Sequence, residues 1–295
     1  MKNFILILVA ILCSIVTAAQ DINTEIISDG ETPFLLGKIN KDGLTSENYN
    51  DWFSKNYEDY ELDQTTIESI STNLKDYQIT LFMGTWCGDS KLEVPHFYKV
   101  LEACNFPEDQ LTVIALNRKP NMYKKSPNHE EAGLNIHRVP TFIFYKDRKE
   151  VNRIVEHPVE SLEKDILSII TSNTYQSNYQ IVTKINTILN EDGLNGLKKQ
   201  SKRLIKAFDK KVTSMSELNT YGHILYSINR NNEAIAVFKL NNKLFPDNPR
   251  THMSLANILG INGYSNEAVK IMDKAIQQFP KNQDLIENLE ALKTR

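Results

Sequence analysis

The run Trp86-Cys87-Gly88-Asp89-Ser90 carries the clearest chemical signal in this chain. A cysteine followed three residues later by a second cysteine can attack a disulfide, close on its neighbour and release the substrate. Here that second position is Ser90. A thiolate at Cys87 that attacks a disulfide is left in a mixed disulfide that nothing internal resolves. The chemistry on offer is single-thiol exchange, completed by an external thiol reductant. The other downstream cysteine, Cys104, stands 17 residues on. With Lys91–Cys104 read as one helix, the rise per residue separates the two by roughly 25 Å. A disulfide needs Cα atoms within about 7 Å, so Cys104 is read as a buried structural thiol.

Other side chains offer weaker chemical signals. His129, Glu130 and His137 lack metal-ligand spacing, so neither a metal nor a cofactor is expected. His137 stands just before Arg138-Val139-Pro140 and is read either as lining the cysteine groove or as a surface histidine. Asp89 and Glu93 share a helical face and read as a solvated pair rather than an acid–base couple. There is no Gly-rich phosphate loop and no serine nucleophile elbow.

Positioning Cys87 falls to the elements on either side. Gln78–Met83 reads as a strand that delivers the cysteine to the start of a helix. The backbone N–H groups and dipole at that end favour an anion, hence a thiolate. The Asp89 carboxylate works against it. Ser90 is expected to donate a hydrogen bond to the sulfur, Trp86 to shield one side, Gly88 to relieve crowding, and Pro95 to kink the helix. A helix precedes the strand at Thr65–Tyr77. After it come a β-rich run at Leu111–Leu116, a loop over Asn117–Asn135, a hairpin of Thr141–Tyr145 and Glu150–Val155, and a closing helix at Val159–Thr171. Alternating α and β with a late hairpin implies a mixed sheet with helices on both faces.

This arrangement resembles the thioredoxin fold. The resemblance spans about residues 63–171 and rests on Trp86-Cys87-Gly88-Asp89-Ser90-Lys91, on Pro95 and on Arg138-Val139-Pro140-Thr141-Phe142. It implies a cis Pro140 beside Cys87 and a Val139 backbone free to pair with an extended peptide. Leu81 stands where thioredoxin itself carries a buried acid, and Ser90 where it carries the resolving cysteine. The sites implied are Cys87 and Ser90 for exchange, with Trp86, Val139 and Pro140 holding the client.

Beyond this segment the chain repeats itself. Ala234, Phe238 and Pro246 recur as Ala268, Met272 and Pro280, each offset by 34 residues, and Gly222 and Leu225 recur as Ala256 and Leu259. That period and those residue types are the signature of tetratricopeptide helical hairpins, with Gln283–Leu292 as a capping helix. Upstream, Phe34–Ile39 reads as a short edge strand. Tyr49, Trp52, Phe53, Tyr57 and Tyr60 form an aromatic helical stretch that either packs on the next domain or stays exposed for recognition.

Lys2, the apolar run Phe4–Val16 and the small residues Thr17-Ala18-Ala19 read as an export leader. An uncleaved anchor, or a lipid on Cys13, is the minority alternative. The expected location is periplasmic or secreted, with a membrane met only through an uncleaved leader. A net charge of −3 argues against nucleic acid as a partner. The basic cluster Lys198, Lys199, Lys202, Arg203 and Lys206 reads as a solvated helical face, or else as a patch for an acidic partner.

The expected organisation is therefore a signal peptide (1–19), an N-terminal extension (20–60), a thioredoxin-like α/β domain (61–172), a helical connector (173–213) and tetratricopeptide-like repeats (214–295). The expected fold class is a mixed sheet flanked by helices, followed by an all-α domain. Two functions follow. In one, Cys87 exchanges disulfides on protein clients, as an isomerase or slow reductase, while the repeats dock a protein partner. In the other, the thiol is vestigial and the Pro140 groove is a binding module.

Overall fold

The computed structural model describes residues 22–172 and 174–294. The expected leader and Cys13 lie outside the described residues. No helix among the described residues is long and apolar enough to cross a membrane.

In the first half, β1 (Glu25–Ile26) and β2 (Phe34–Leu35) form a two-stranded antiparallel ribbon. Next come β3 (Gly37–Ile39), the short α1 (Lys41–Leu44), α2 (Asn50–Asp59) and α3 (Gln64–Leu74). They are followed by β4 (Gln78–Met83), α4 (Gly88–Ala103), β5 (Leu111–Ala115), the hairpin of β6 (Thr141–Lys146) and β7 (Lys149–Val155), and α5 (Leu162–Thr171). The sheet order is β3-β5-β4-β6-β7. Only β4 and β5 run parallel, because α4 provides the crossover between them. Asp147 and Arg148 both take positive φ, as a two-residue hairpin turn requires.

The alternation of β4 divides the core. Ile79, Leu81 and Met83 face one side, in a cluster with side chains of α2, α3, α4 and α5. Phe82 faces the other, with Ile114, Leu116, Ile136, Val139 and Ile143. No helix contributes to that second cluster among the described residues. The long segment between β5 and β6 covers this face instead of the helix expected there. Its prolines, polar residues and short 3-10 turn at Pro120–Met122 give it no helical apolar stripe.

The described part (22–60) of the segment set apart in the sequence as an extension (20–60) shares the first cluster. Ile39, Leu44, Tyr49 and Phe53 are buried in it. The aromatic helix therefore packs rather than presenting a recognition face. It also solves a local problem in α4. Pro95 has no N–H to give the Lys91 carbonyl one turn back, and Asn56 Nδ2 of α2 donates to that carbonyl at 2.9 Å.

The second half is helical throughout: α6 (Gln180–Glu191), α7 (Gly193–Phe208), α8 (Ser216–Ser227), α9 (Asn231–Leu244), α10 (Pro249–Ile261), α11 (Ser265–Gln278) and α12 (Gln283–Lys293). α8 packs on α9, and α10 on α11. The 34-residue offset is visible down to the caps. Asn248 and Asn282 each accept a backbone N–H at the start of the helix that follows. On α7 the buried residues are Gly196, Leu197 and Leu204, and all five basic residues lie on its solvated side.

Within the α8–α9 pair the backbones approach closely at Gly222, where a Cβ would lie 2.8 Å from the Phe238 ring. Phe238 is fully buried and has no room to yield. Gly222→Ala is therefore expected to destabilise the helical half by about 1–3 kcal/mol through overpacking, despite alanine's better helix propensity. Thermal denaturation followed by far-UV dichroism checks this, and an unchanged or raised midpoint would contradict the packing argument.

Candidate functional site

The strand β4 ends in the core at Met83, and Gly84-Thr85-Trp86 turns the chain into α4. Cys87 is the N-cap residue, with extended φ/ψ, and its carbonyl accepts from the Lys91 N–H at 3.0 Å. The turn is closed by Cys87 N–H donating to the Gly84 carbonyl at 2.9 Å. It is pinned from outside as well. The Leu35 N–H donates to Thr85 Oγ1 at 3.1 Å, and Trp86 Nε1 donates to the Leu116 carbonyl at 2.8 Å.

The glycine on which this turn depends is Gly84, not Gly88. A Cβ at Gly84 would lie 2.6 Å from the Trp86 indole, whereas one at Gly88 would meet nothing within 4 Å. The sequence placed crowding beside the cysteine. The structure places it three residues earlier, where the indole folds back over the chain.

Cys87 is half-buried. Its Sγ lies 3.2 Å from the Val139 carbonyl, to which the thiol donates, and 3.8 Å from Asp89 Oδ2. The Val139–Pro140 peptide bond is cis. Thus Trp86, Cys87, Val139 and Pro140 come together, although the two segments are 52 residues apart. Ser90 lies one turn into α4, fully buried, and its Oγ accepts the Gly84 N–H at 3.2 Å. The sulfur's partners are Val139 and Asp89, and Ser90 braces the turn.

Cys104 ends the same helix, buried, and burial pushes its thiol up to about 11. It sits at the opposite end of α4 from Cys87, with the thiol form favoured at neutral pH. Glu93 is buried 3.7 Å from His96 Nδ1, so it does not form a solvated pair with Asp89.

The segment that covers the second sheet face brings in residues with no motif in the sequence. Tyr123 lies against Trp86, ring centroids 5.4 Å apart. Lys124 is buried and its ammonium donates to the His137 carbonyl. Desolvation, followed by the nearby Arg138 charge, pushes this lysine down to about 8. Arg138 donates to Glu156 Oε1 at 3.1 Å and to the Ser216 carbonyl of α8 at 3.2 Å, and its guanidinium stacks 4.9 Å over Tyr179. The proline ledge and the helical half are therefore in direct contact.

His137 is not a surface histidine. It is buried between Tyr179 and Tyr221, at ring distances of 5.6 and 6.3 Å, and its Nε2 has no protein partner. Burial holds it neutral, down to about 3 from an ordinary 6.5. The unfolded chain thus binds a proton that the folded chain refuses. His137's contribution to stability is complete above about pH 6.5, declines as the pH falls and is gone near pH 3. Acidification from pH 7 to 5 should cost roughly 2 kcal/mol through this one group. Urea titrations of wild type and His137→Phe at both pH values check the sign, and an equal loss in the two proteins would contradict it.

No family model matches the chain. It is similar to Thioredoxin-3, mitochondrial, of Saccharomyces cerevisiae, being 27% identical over 85 residues, which is 29% of this chain and 59% of that protein. The chain thus spans less than two thirds of the length of the curated relative it matches. Sheet order, the placement of Cys87 opposite Pro140 and this distant similarity together make the first half thioredoxin-like in fold, followed by a helix-rich second half.

Proposed function

We propose that this protein is an exported thiol–disulfide exchange protein, periplasmic or secreted, that works on protein clients through the single thiol of Cys87. The observation that carries this reading is the sulfur at the start of α4, partly open and 3.2 Å from the Val139 carbonyl. The attacking species is the thiolate. One sulfur of the client disulfide bonds to Cys87 and the other leaves as a thiolate. An external thiol, or a second thiol of the client, then attacks the mixed disulfide and frees Cys87. When the resolving thiol is external it remains on the client until a second external thiol displaces it as their own disulfide, and the protein is a slow reductase; when a client thiol resolves, a new client disulfide forms and the protein is an isomerase. The helical half is read as tetratricopeptide-like repeats that dock a protein partner. Covalent capture of clients on Cys87, reversed by dithiothreitol, tests the reading.

One observation favours the binding-module alternative. The Asp89 carboxylate lies 3.8 Å from the sulfur and opposes a thiolate. Two like charges at that distance in water repel by about 1 kcal/mol. Asp89→Asn is therefore expected to speed iodoacetamide alkylation of Cys87 by about 5-fold at neutral pH. An unchanged rate would mean that the carboxylate does not restrain the sulfur, and would remove this support for a vestigial thiol.

A further inference from the structure

The largest feature beside the thiol that the exchange chemistry leaves unused is a cleft of about 510 Å³ between residues 120–125 and α8. Its apolar wall is Tyr123, Ile224 and Tyr226, and its cations are Lys124, Lys125 and Arg138. No carboxylate lines it among the described residues. Arg138 shares its charge with Glu156, but each lysine spends its ammonium on a backbone carbonyl, Lys124 on His137 and Lys125 on Ser227. Two positive charges therefore lack an acidic partner among the described residues. The volume falls within the range of specific ligand clefts.

Two lining residues connect the cleft to the groups around the reacting sulfur. Tyr123 packs against Trp86, the residue before Cys87. Arg138 directly precedes Val139, whose carbonyl holds the Cys87 thiol. A client segment whose cysteine reaches Cys87 has this cleft next to it.

We propose that the cleft is a specificity subsite for the client, taking an aromatic or large apolar side chain together with an acidic one next to the client's reactive cysteine. The helical half then supplies one wall of the substrate site, through α8, rather than serving as a remote appendage. Tyr226 and Ile224 accept the apolar side chain, and the unneutralised lysines accept the carboxylate. This assignment rests on the exchange reading of Cys87.

The test uses the full chain and two synthetic peptides. One carries Phe-Glu and the other Ser-Lys on each side of a single cysteine, and each cysteine is activated as its 2-thiopyridyl mixed disulfide. The Cys87 thiolate, its proton lost to buffer, attacks the peptide cysteine sulfur. The Cys87–peptide bond forms, the bond to the pyridyl sulfur breaks, and pyridine-2-thiolate leaves and is protonated to the thione. The number of disulfides is conserved, so no oxidant or reductant is needed. Rates are expressed relative to those with 2,2′-dipyridyl disulfide, a small neutral measure of the thiol itself.

The Phe-Glu peptide should react at least about tenfold faster than the Ser-Lys peptide, the discrimination a matched apolar pocket supplies. Tyr226→Ala and Lys125→Glu should each reduce that ratio. Equal relative rates for the two peptides on the wild-type protein would overturn the subsite. Failure of Cys87 to react even with 2,2′-dipyridyl disulfide would overturn the exchange reading instead. In that event, fluorescence anisotropy with labelled peptides carrying serine for cysteine decides the subsite. Preference for Phe-Glu supports it and equal binding overturns it.

Discussion

Cys87→Ser is expected to bring covalent client capture down to background while leaving the fold intact. The sulfur is the sole thiol at the proposed site among the described residues, since Cys104 lies buried at the far end of α4. Removing it removes the only atom there that can enter a mixed disulfide. The structural cost is small. A serine hydroxyl can still donate to the Val139 carbonyl that the thiol now contacts, and the N-cap position suits serine well. The stability change should stay within about 1 kcal/mol. Non-reducing gels of extracts incubated with each protein, with and without dithiothreitol, give the readout. If the serine variant captures as many dithiothreitol-sensitive partners as wild type, the bonds were never made at Cys87 and the exchange reading falls.

The second large effect runs the other way. Ser90→Cys is expected to raise dithiothreitol-driven insulin reduction by an order of magnitude or more. Cys87 is the N-cap of α4 and Ser90 its third helical residue, the two positions whose side chains a capping box brings within reach of each other. The new sulfur attacks the mixed disulfide at Cys87, the client thiolate leaves, and an internal disulfide remains for dithiothreitol to reduce. One electron pair thus passes from the protein dithiol to the client. Ser90 Oγ accepts the Gly84 N–H inside the protein, and sulfur is a poorer acceptor, so the variant should lose about 1 kcal/mol of stability. A variant that keeps its fold and both thiols yet reduces insulin no faster than wild type would favour the binding-module reading of the groove.

The two experiments test different links. The first asks whether Cys87 does chemistry at all. The second asks whether the surrounding groove supports turnover once a resolving sulfur is supplied. Capture by wild type combined with an inert Ser90→Cys would point to a protein built to hold clients covalently rather than to reduce them.

Much of the architecture was legible because its causes lie within short windows of sequence. Gln78–Met83 alternates apolar side chains between two faces, and the strand falls where that pattern does. Asp147-Arg148-Lys149 between two β-rich runs marks the hairpin, whose turn the structure narrows to Asp147 and Arg148. The 34-residue recurrence of small and large apolar residues marks the paired helices, because each pair needs the same close approach. The cysteine turn was legible for the same reason, as strand, turn and helix start are contiguous.

What the sequence left open depends on partners distant along the chain. The crowded glycine is Gly84, because the Trp86 indole is drawn back by the Leu116 carbonyl 30 residues away. Ser90 faces the Gly84 N–H rather than the sulfur, since the turn presents an orphan donor that only a buried acceptor can satisfy. His137 is buried, although a histidine beside Arg138 reads equally well as a surface residue, because Tyr179 and Tyr221 close over it from the helical half. Local periodicity and turn chemistry thus determined the elements, their order and the lone thiol at a helix start. Only the tertiary structure decided which groups surround that thiol, because hydrogen-bond satisfaction and desolvation are settled by whichever distant segment arrives to cover them.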